Sequence, residues 1–150
     1  MGTVAVEARS LYRFFRSGEE ETLALQGVSL AVAVGELVVV VGPSGSGKST
    51  LLACLAGLDE PDGGTVWVAG QRMSHQPERV RDRMRAQRIG ILSQSANLFE
   101  HLTVRANLAF VHAAAPGSAA FSPLELLEQV GLAGRSGAYP SELSGGESAR

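Results

Sequence analysis

The chain has 150 residues, a formal net charge of −2 and a pI of about 5.9. This length suffices for one domain with a sizeable core, and the weakly acidic balance gives no indication of a nucleic-acid partner. Met1–Ser10 is too polar for a signal peptide, and no apolar run approaches the ~20 residues that span a bilayer. The single cysteine, Cys54, excludes an internal disulfide and is typical of a small buried thiol in a reducing cytoplasm.

The first part of the chain predicts strands. Val4–Arg9 and Ala24–Val34 alternate apolar and polar residues, as half-exposed strands do, and the polar segment Arg16–Thr22 predicts a hairpin loop between them. Leu37–Val41 is continuously apolar, which predicts a central parallel strand covered on both faces.

The segment Gly42–Ser49 reads G-P-S-G-S-G-K-S and directly follows this apolar run, with a helix predicted from Lys48 onward. Glycines let the backbone fold around an anion with its N–H groups pointing inward, and the helix adds the positive end of its dipole. Lys48 can reach the outer phosphates, and the Ser49 hydroxyl can hold magnesium. The spacing in this strand–turn–helix context therefore predicts binding of a nucleoside triphosphate.

Short elements are predicted to follow the phosphate loop. The helix after it ends at Gly57, and the turn Asp59–Gly64 leads into a short strand, Thr65–Val68. Pro77–Gln87 predicts a charged helix whose arginines form a solvated face, and Ile89–Leu92 predicts a short buried strand.

From about Ser95 the pattern becomes mainly helical. One helical periodicity is carried by the apolar residues Leu98, Leu102, Val104, Leu108 and Val111. A loop-like stretch, Ala113–Ser122, separates it from a second predicted helix, Leu124–Val130.

A second glycine-rich motif, L-S-G-G-E, stands at Leu143–Glu147. Ser144 suits the N-cap of a helix, and the two following glycines leave backbone N–H groups uncovered. A helix that begins here presents an anion site of the same kind as the phosphate loop. Because S-G-G is common in loops, the motif by itself does not identify an anion site. Its pairing with the phosphate loop, about a hundred residues upstream, does.

Together these motifs resemble those of the nucleotide-binding domain of an ABC transporter. G-P-S-G-S-G-K-S-T matches the Walker A motif of that family, and L-S-G-G-E matches its signature motif, although Ser148-Ala149 departs from the usual Gln-Gln. Ile89–Phe99 is similar to the Q-loop region, which puts Gln94 at the Q-loop position. The phrases G-L-D-E-P-D-G-G and L-T-V-R-A-N-L look most like the lipoprotein-release and macrolide-export branch.

The resemblance implies an α/β fold: a P-loop NTPase core with an antiparallel β subdomain and a helical subdomain, incomplete at the C-terminus. Residues 1–94 would form the β subdomain and P-loop core, and residues 95–150 the helical subdomain ending in the signature helix.

The Walker B aspartate, the catalytic glutamate, the D-loop and the switch histidine of the family are not found in this sequence. Three acidic residues of the turn after the phosphate-loop helix, Asp59, Glu60 and Asp62, do not end an apolar strand and cannot replace them. We therefore expect the apolar faces around Leu37–Val41 and Ile89–Leu92 to lie partly uncovered. We also expect poor solubility or a molten state, and little or no ATP turnover by this chain alone.

The resemblance also implies roles for individual residues, with ATP and Mg²⁺ as cofactors. Lys48 and Gln94 are the predicted catalytic residues, and Ser49 and Gln94 would contact magnesium. Phe15 would stack on adenine, with Phe14 and Tyr12 as rivals. The predicted ATP-binding residues are Phe15, Gly42, Pro43, Ser44, Gly45, Ser46, Gly47, Lys48, Ser49 and Thr50, and the residues predicted to face ATP held by a second subunit are Ser144, Gly145, Gly146 and Glu147.

The implied partners are a second nucleotide-binding subunit, in a homo- or pseudo-dimer, and an integral membrane permease, with no nucleic acid. Leu98 and Phe99 are either permease contacts or local core, whereas His101 and His112 are expected to be ordinary surface residues. The location implied is the cytoplasmic face of the cell membrane, or the cytoplasm for an unassembled subunit.

The leading interpretation is an ATPase subunit that powers export. The alternatives are a non-transport ABC ATPase and a hydrolysis-deficient nucleotide-binding module. The transported substrate is not encoded here because the permease selects it.

Overall fold

The computed structural model describes residues 2–18, 20–92, 98–114 and 121–150. The chain divides into two compact units, Met1–Gly90 (the first unit) and Ile91–Arg150 (the second unit). None of the helices in the described ranges is long and apolar enough to cross a membrane.

The first unit is built on a four-stranded antiparallel sheet with the strand order β2-β1-β3-β4. Its strands are β1 (Val4–Ser17), β2 (Glu20–Ala33), β3 (Gly63–Val68) and β4 (Gln71–Arg72). The turn between β3 and β4 is tight: Ala69 and Gly70 both have positive φ, at 47° and 75°, as a two-residue type I′ hairpin requires.

The hairpin between β1 and β2 is tighter than the sequence predicts. The polar segment Arg16–Thr22 was expected to be loop, yet β1 continues to Ser17 and β2 resumes at Glu20. Arg16 pairs with Glu21 across the strands, with 3.1 Å between Arg16 Nε and Glu21 Oε1. Charged cross-strand pairs of this kind support a solvated ladder, so polarity alone does not mark the end of these strands.

Two helices lie in the first unit. Helix α1 (Lys48–Leu55) buries Leu51 and Cys54 in the core, and burial raises the pKa of the Cys54 thiol to about 11. Helix α2 (Glu78–Arg88) contributes Met84 to the same core. The core residues of the sheet and its turns are Ala8, Leu11, Leu25, Val66, Val68 and Met73.

The two predicted inner strands are not strands in this structure. Leu37–Val41 and Ile89–Leu92 have no regular secondary structure. Leu37, Val39 and Val41 are 89%, 73% and 83% exposed, which contradicts the prediction of a strand covered on both faces. A strand forms only where a neighbour accepts its backbone hydrogen bonds, and no described residue pairs with either segment. The expectation that these apolar faces lie partly uncovered agrees with their exposure: Leu92 is 92% exposed, whereas Val40 and Ile89 pack against the core.

The second unit is helical. Its elements are α3 (Val104–Ala114), α4 (Pro123–Gln129), the short 3₁₀ turns Ala133–Arg135 and Pro140–Glu142, and α5 (Gly145–Ser148). A small core of Val104, Leu127 and Leu132 joins α3 to α4 and the turn after it.

Helix α3 starts later than the apolar periodicity from Leu98 predicts. The side chain of Asn107, only 4% exposed, accepts the backbone N–H of Phe99 at 2.7 Å and donates to its carbonyl at 3.1 Å. Its amide also donates to the carbonyls of Leu102 and Thr103. The Asn107 side chain thus supplies hydrogen-bond partners to backbone groups of the loop before α3, so these groups do not depend on the bonds of a helix.

Candidate functional site: a phosphate loop and a second glycine-rich turn

The phosphate loop lies in the first unit and ends in helix α1. Gly47 is the N-cap residue, in the left-handed conformation, and no side chain caps this end of the helix. The first N–H groups of any helix have no partner within the helix, and they form the positive end of the helix dipole. The loop therefore presents uncovered donors where a phosphate can bind.

Gly47 fixes the loop against the sheet. Its φ is +83°, and a Cβ at this position would stand 2.3 Å from the carbonyl oxygen of Ala24 in β2. The chain can pass this close to β2 only without a side chain. By contrast, a Cβ on Gly45, whose φ is +79°, would meet nothing within 4 Å.

Lys48 turns back over the loop that precedes it. Its Nζ donates to the Pro43 carbonyl at 2.6 Å and lies 3.4 Å from Ser46 Oγ. The ammonium thus stands against both the first and the central part of the loop. Lys48 is the only lysine of the chain, so this amine is unique apart from the chain's α-amino group.

The loop offers magnesium one side-chain oxygen, so it could hold the ion only together with phosphate oxygens. Ser49 supplies one exposed hydroxyl at the start of α1. Within the described residues, no group of three or more His, Cys, Asp or Glu side chains could hold a metal ion. Mg²⁺ commonly keeps several waters and takes one or two protein oxygens plus substrate phosphates, which the Ser49 hydroxyl fits.

Phe15 is the most exposed of the three candidate aromatics, although Tyr12 and Phe14 are also 40% and 36% exposed. Phe15 is 43% exposed and pairs with Thr22 of β2. Thr22 lies two residues before Ala24, about 7 Å along the strand, and Ala24 abuts Gly47. The ring of Tyr12 instead packs beside Gly27 and Gly63.

The acidic residues after α1 are engaged in ion pairs. Asp59 and Asp62 bind Arg13 at 2.8 and 3.1 Å, and Glu60 binds Arg81 at 2.6 Å. These pairs agree with the expectation that the three acids cannot replace the Walker B aspartate and the catalytic glutamate. They also show that the α2 arginines are not all solvated, because Arg81 turns inward.

The second glycine-rich turn lies in the second unit and caps its own helix. Ser144 is the N-cap of α5, as predicted; its Oγ accepts the Glu147 N–H at 3.2 Å, and Glu147 Oε2 accepts the Ser144 N–H at 2.8 Å. Ser144, Gly145 and Gly146 are exposed. This reciprocal pair is a capping box, and it leaves the Ser144 hydroxyl hydrogen available to an acceptor.

Glu147 carries a negative charge beside this turn, and Arg135 balances it. Arg135 Nε stands 2.9 Å from Glu147 Oε1. The pKa of Glu147 is lowered to about 2, mainly by the hydrogen bond from the Ser144 N–H and next by the hydrogen bond from Arg135. Arg135 was not predicted as part of the site, because nothing in the local motif indicates an arginine twelve residues upstream.

Of the remaining predicted site residues, Gln94 lies outside the described residues. Phe99 is 44% exposed and meets Phe110 edge to face, with ring centroids 5.1 Å apart, so part of its ring is packed locally. His101 is exposed and contacts the Phe99 ring. Gly42–Thr50 form one continuous loop and helix start, within the same unit as Phe15.

An apolar groove of about 590 Å³ lies in the second unit beside the signature turn. Its walls include Leu108 of α3 and Leu127 of α4, and its rim includes Gly145 and Glu147. Leu92, which is 92% exposed, also lines it. The signature turn is thus bordered by uncovered apolar surface.

Comparison with known proteins matches this arrangement. The family profile described as ABC transporter matches residues 25–150. The lipoprotein-releasing system ATP-binding protein LolD 1 of Caulobacter vibrioides is 40% identical over 153 residues, covering 99% of this chain and 65% of the relative. The methionine import ATP-binding protein MetN of Thermobifida fusca is 41% identical, covering 97% of this chain and 46% of the relative.

A solved structure has the same fold. It is described as a dimeric post-hydrolysis state of the ATP-binding cassette MJ0796 bound to ADP and Pi. It aligns with a TM-score of 0.86 and 30% identity, covering 95% of this chain and 65% of that one.

The chain therefore belongs to the ABC transporter family, and the predicted family and fold class are confirmed. It spans 62–65% of the length of several LolD relatives that it matches.

Proposed function

We propose that this chain is part of the ATP-binding subunit of an ABC transporter, in which ATP binding and hydrolysis are coupled to export across a membrane. The observation that carries the proposal is the phosphate loop: a helix start without a side-chain cap, fixed against β2, with the Lys48 ammonium over the loop. This constellation offers backbone donors and one cation to a polyphosphate. The relatives named as transporter ATP-binding proteins support the transport role.

ATP would bind with its outer phosphates in the loop. The Gly45–Thr50 amides and Lys48 would hold the β- and γ-phosphates, and Ser49, with Gln94, would contact magnesium. Gln94 would also sense the γ-phosphate. When bound, the ion would neutralise phosphate charge; the loop residues would supply orientation and charge stabilisation.

The adenine would stack on Phe15. The open ring and its position about 7 Å along β2 from the Gly47 contact support this assignment. A partly exposed aromatic ring gains stabilisation when a second planar group covers it.

The signature residues would act on ATP held by a second subunit. Ser144, Gly145 and Gly146 are exposed, and the Ser144 hydroxyl can donate to a phosphate oxygen. Glu147 would keep this turn in shape through the capping box. The dimeric state of the MJ0796 cassette supports such a pairing.

The other partner would be an integral membrane permease, with Phe99 and Leu98 as candidate contacts. The subunit would then lie at the cytoplasmic face of the membrane. The net charge of −2 gives no support to a nucleic-acid partner.

Hydrolysis needs a group that positions water in line with the γ-phosphate. The three acids that follow the phosphate-loop helix in the chain form ion pairs with Arg13 and Arg81. We therefore propose that these 150 residues bind ATP and turn over little of it by themselves.

Titration calorimetry of the 150-residue chain with ATP and Mg²⁺ tests the proposal. Wild type should bind, and Lys48→Ala should weaken binding by roughly 10- to 150-fold, the equivalent of about 1.5–3 kcal/mol for a hydrogen bond to a charged group. Arg79→Ala removes an exposed cation elsewhere in the first unit and should bind as wild type does. Wild-type chain that takes up no ATP, or equal losses in both variants, would contradict the proposal.

A further inference from the structure

We propose that Arg13 is a positioning residue for the nucleotide base: it fixes the Phe15 ring in the orientation in which a purine stacks on it. This inference rests on the proposed ATP-binding function. It concerns a residue of β1 that no motif of the chain includes.

Three hydrogen bonds hold the Arg13 guanidinium. Its Nε and one terminal nitrogen bind the two Asp59 oxygens at 2.9 and 2.8 Å, and its other terminal nitrogen binds Asp62 at 3.1 Å. The Arg13 side chain is only 22% exposed. A bidentate pair with a second carboxylate leaves the planar fork little rotational freedom.

The fixed guanidinium covers one face of Phe15. The central carbon of Arg13 lies 4.9 Å from the centroid of the Phe15 ring. Arg13 and Phe15 are two residues apart in β1, and this contact places their side chains on the same side of the strand. A cation over one face of an aromatic ring is attracted by the ring quadrupole. Phe15 remains 43% exposed, so the rest of the ring is open to a second planar group.

Both carboxylates that hold Arg13 belong to the turn that follows α1. The same helix begins at the phosphate loop, at Lys48, and its buried residues anchor it in the core. Asp62 also accepts the N–H of Phe14 at 2.8 Å, which ties this turn to the backbone next to Phe15. The helix that presents the phosphate site thereby also sets where the aromatic ring stands.

The charges around Arg13 exclude a role as a phosphate-binding cation. Two carboxylates already neutralise it, so the residue is not a spare cation for phosphate. Its contribution is geometric, and it should affect a ligand with a base and leave a ligand made of phosphate alone unchanged.

The test compares the binding of ATP and of inorganic tripolyphosphate, each with Mg²⁺, to the 150-residue chain. Arg13→Ala should lower ATP affinity about two- to fivefold, because stacking must then immobilise a ring that Arg13 no longer holds, and leave tripolyphosphate affinity unchanged. Arg13→Lys keeps the charge and lacks the planar fork, so it should not restore ATP affinity. Arg16→Ala, which removes the 80% exposed Arg16 side chain at the end of the hairpin, is the matched control and should bind both ligands as wild type does.

A second arm measures coupling to the ring itself. Phe15→Ala should weaken ATP binding about tenfold, and adding Arg13→Ala to it should cause no further loss in the ATP-to-tripolyphosphate affinity ratio. Equal losses for both ligands in Arg13→Ala and Arg13→Lys would mean a structural role and overturn the inference, as would wild-type ATP affinity in both variants. Wild-type chain that binds neither ligand would overturn the proposed function itself.

Discussion

Two glycine-rich turns of this chain lead directly into helices, and different parts of the molecule hold them. The phosphate loop Gly42–Thr50 is fixed by the core: Gly47 touches β2, and Leu51 and Cys54 of α1 are buried. The signature turn Leu143–Glu147 leads into a helix of four residues with no buried side chain, and its own capping box holds it in shape.

The contrast concerns how each helix start satisfies its N–H groups. Helix α1 has no side-chain cap, so a bound phosphate can supply the missing acceptors. Helix α5 already uses Ser144 and Glu147 as acceptors. The first turn can therefore bind an anion by itself, whereas in the proposed dimer the second turn would add a hydroxyl and glycine amides to a phosphate held by another subunit.

The largest expected effect concerns the contact between the phosphate loop and β2. Gly47→Ala would place a Cβ 2.3 Å from the Ala24 carbonyl oxygen and should cost more than about 3 kcal/mol of unfolding free energy. Gly45→Ala is the matched control: the same left-handed conformation with open space should cost only about 1–2 kcal/mol. Urea unfolding followed by circular dichroism measures both, and equal losses would contradict a core-fixed loop.

A smaller effect is expected at the signature turn. Ser144→Ala removes the N-cap of α5 and should cost about 1 kcal/mol of stability, and Ser122→Ala, at the equivalent capping box of α4, should cost a similar amount. Only Ser144→Ala should also weaken ATP-dependent self-association, measured by sedimentation velocity. If Ser122→Ala reduces association as much, the turn has a structural role only.

The smallest effect is electrostatic and depends on pH. Glu147 has a folded-state pKa of about 2 against an ordinary 4.5, so its contribution to stability is complete above about pH 4.5 and is lost as the pH falls toward 2. Glu147→Gln retains a capping side chain and loses the ion pair with Arg135. Wild type should therefore unfold at a higher temperature than Glu147→Gln at pH 7, and the difference should vanish near pH 2. A difference that stays constant with pH would refute the role of this charge.

Sequence reasoning succeeded where the determinants are local. The phosphate loop follows from the spacing of its glycines and Lys48, and the N-cap of α5 follows from Ser144 beside two glycines. The part of Glu147 in the capping box was not predicted, although it lies only three residues from Ser144.

The interactions that sequence reasoning did not identify connect distant residues. Arg13 and Asp59 are 46 positions apart, and no periodicity indicates their pairing. Leu37–Val41 has strand-forming residues, yet a strand also requires a neighbour, which local sequence does not supply. The late start of α3 depends on Asn107 binding the backbone of Phe99, a contact that apolar periodicity does not predict.

The most direct test of the central claim uses the only lysine in the chain. The rate at which a water-soluble acetylating reagent modifies Lys48 can be followed by peptide mass spectrometry, with the α-amino group of the chain as an internal reference. ATP with Mg²⁺ at ten times its Kd should slow acetylation of Lys48 about tenfold and leave the reference rate unchanged, while adenosine at the same concentration should protect neither amine. Lys48 acetylation that proceeds at the same rate with and without ATP would contradict the account.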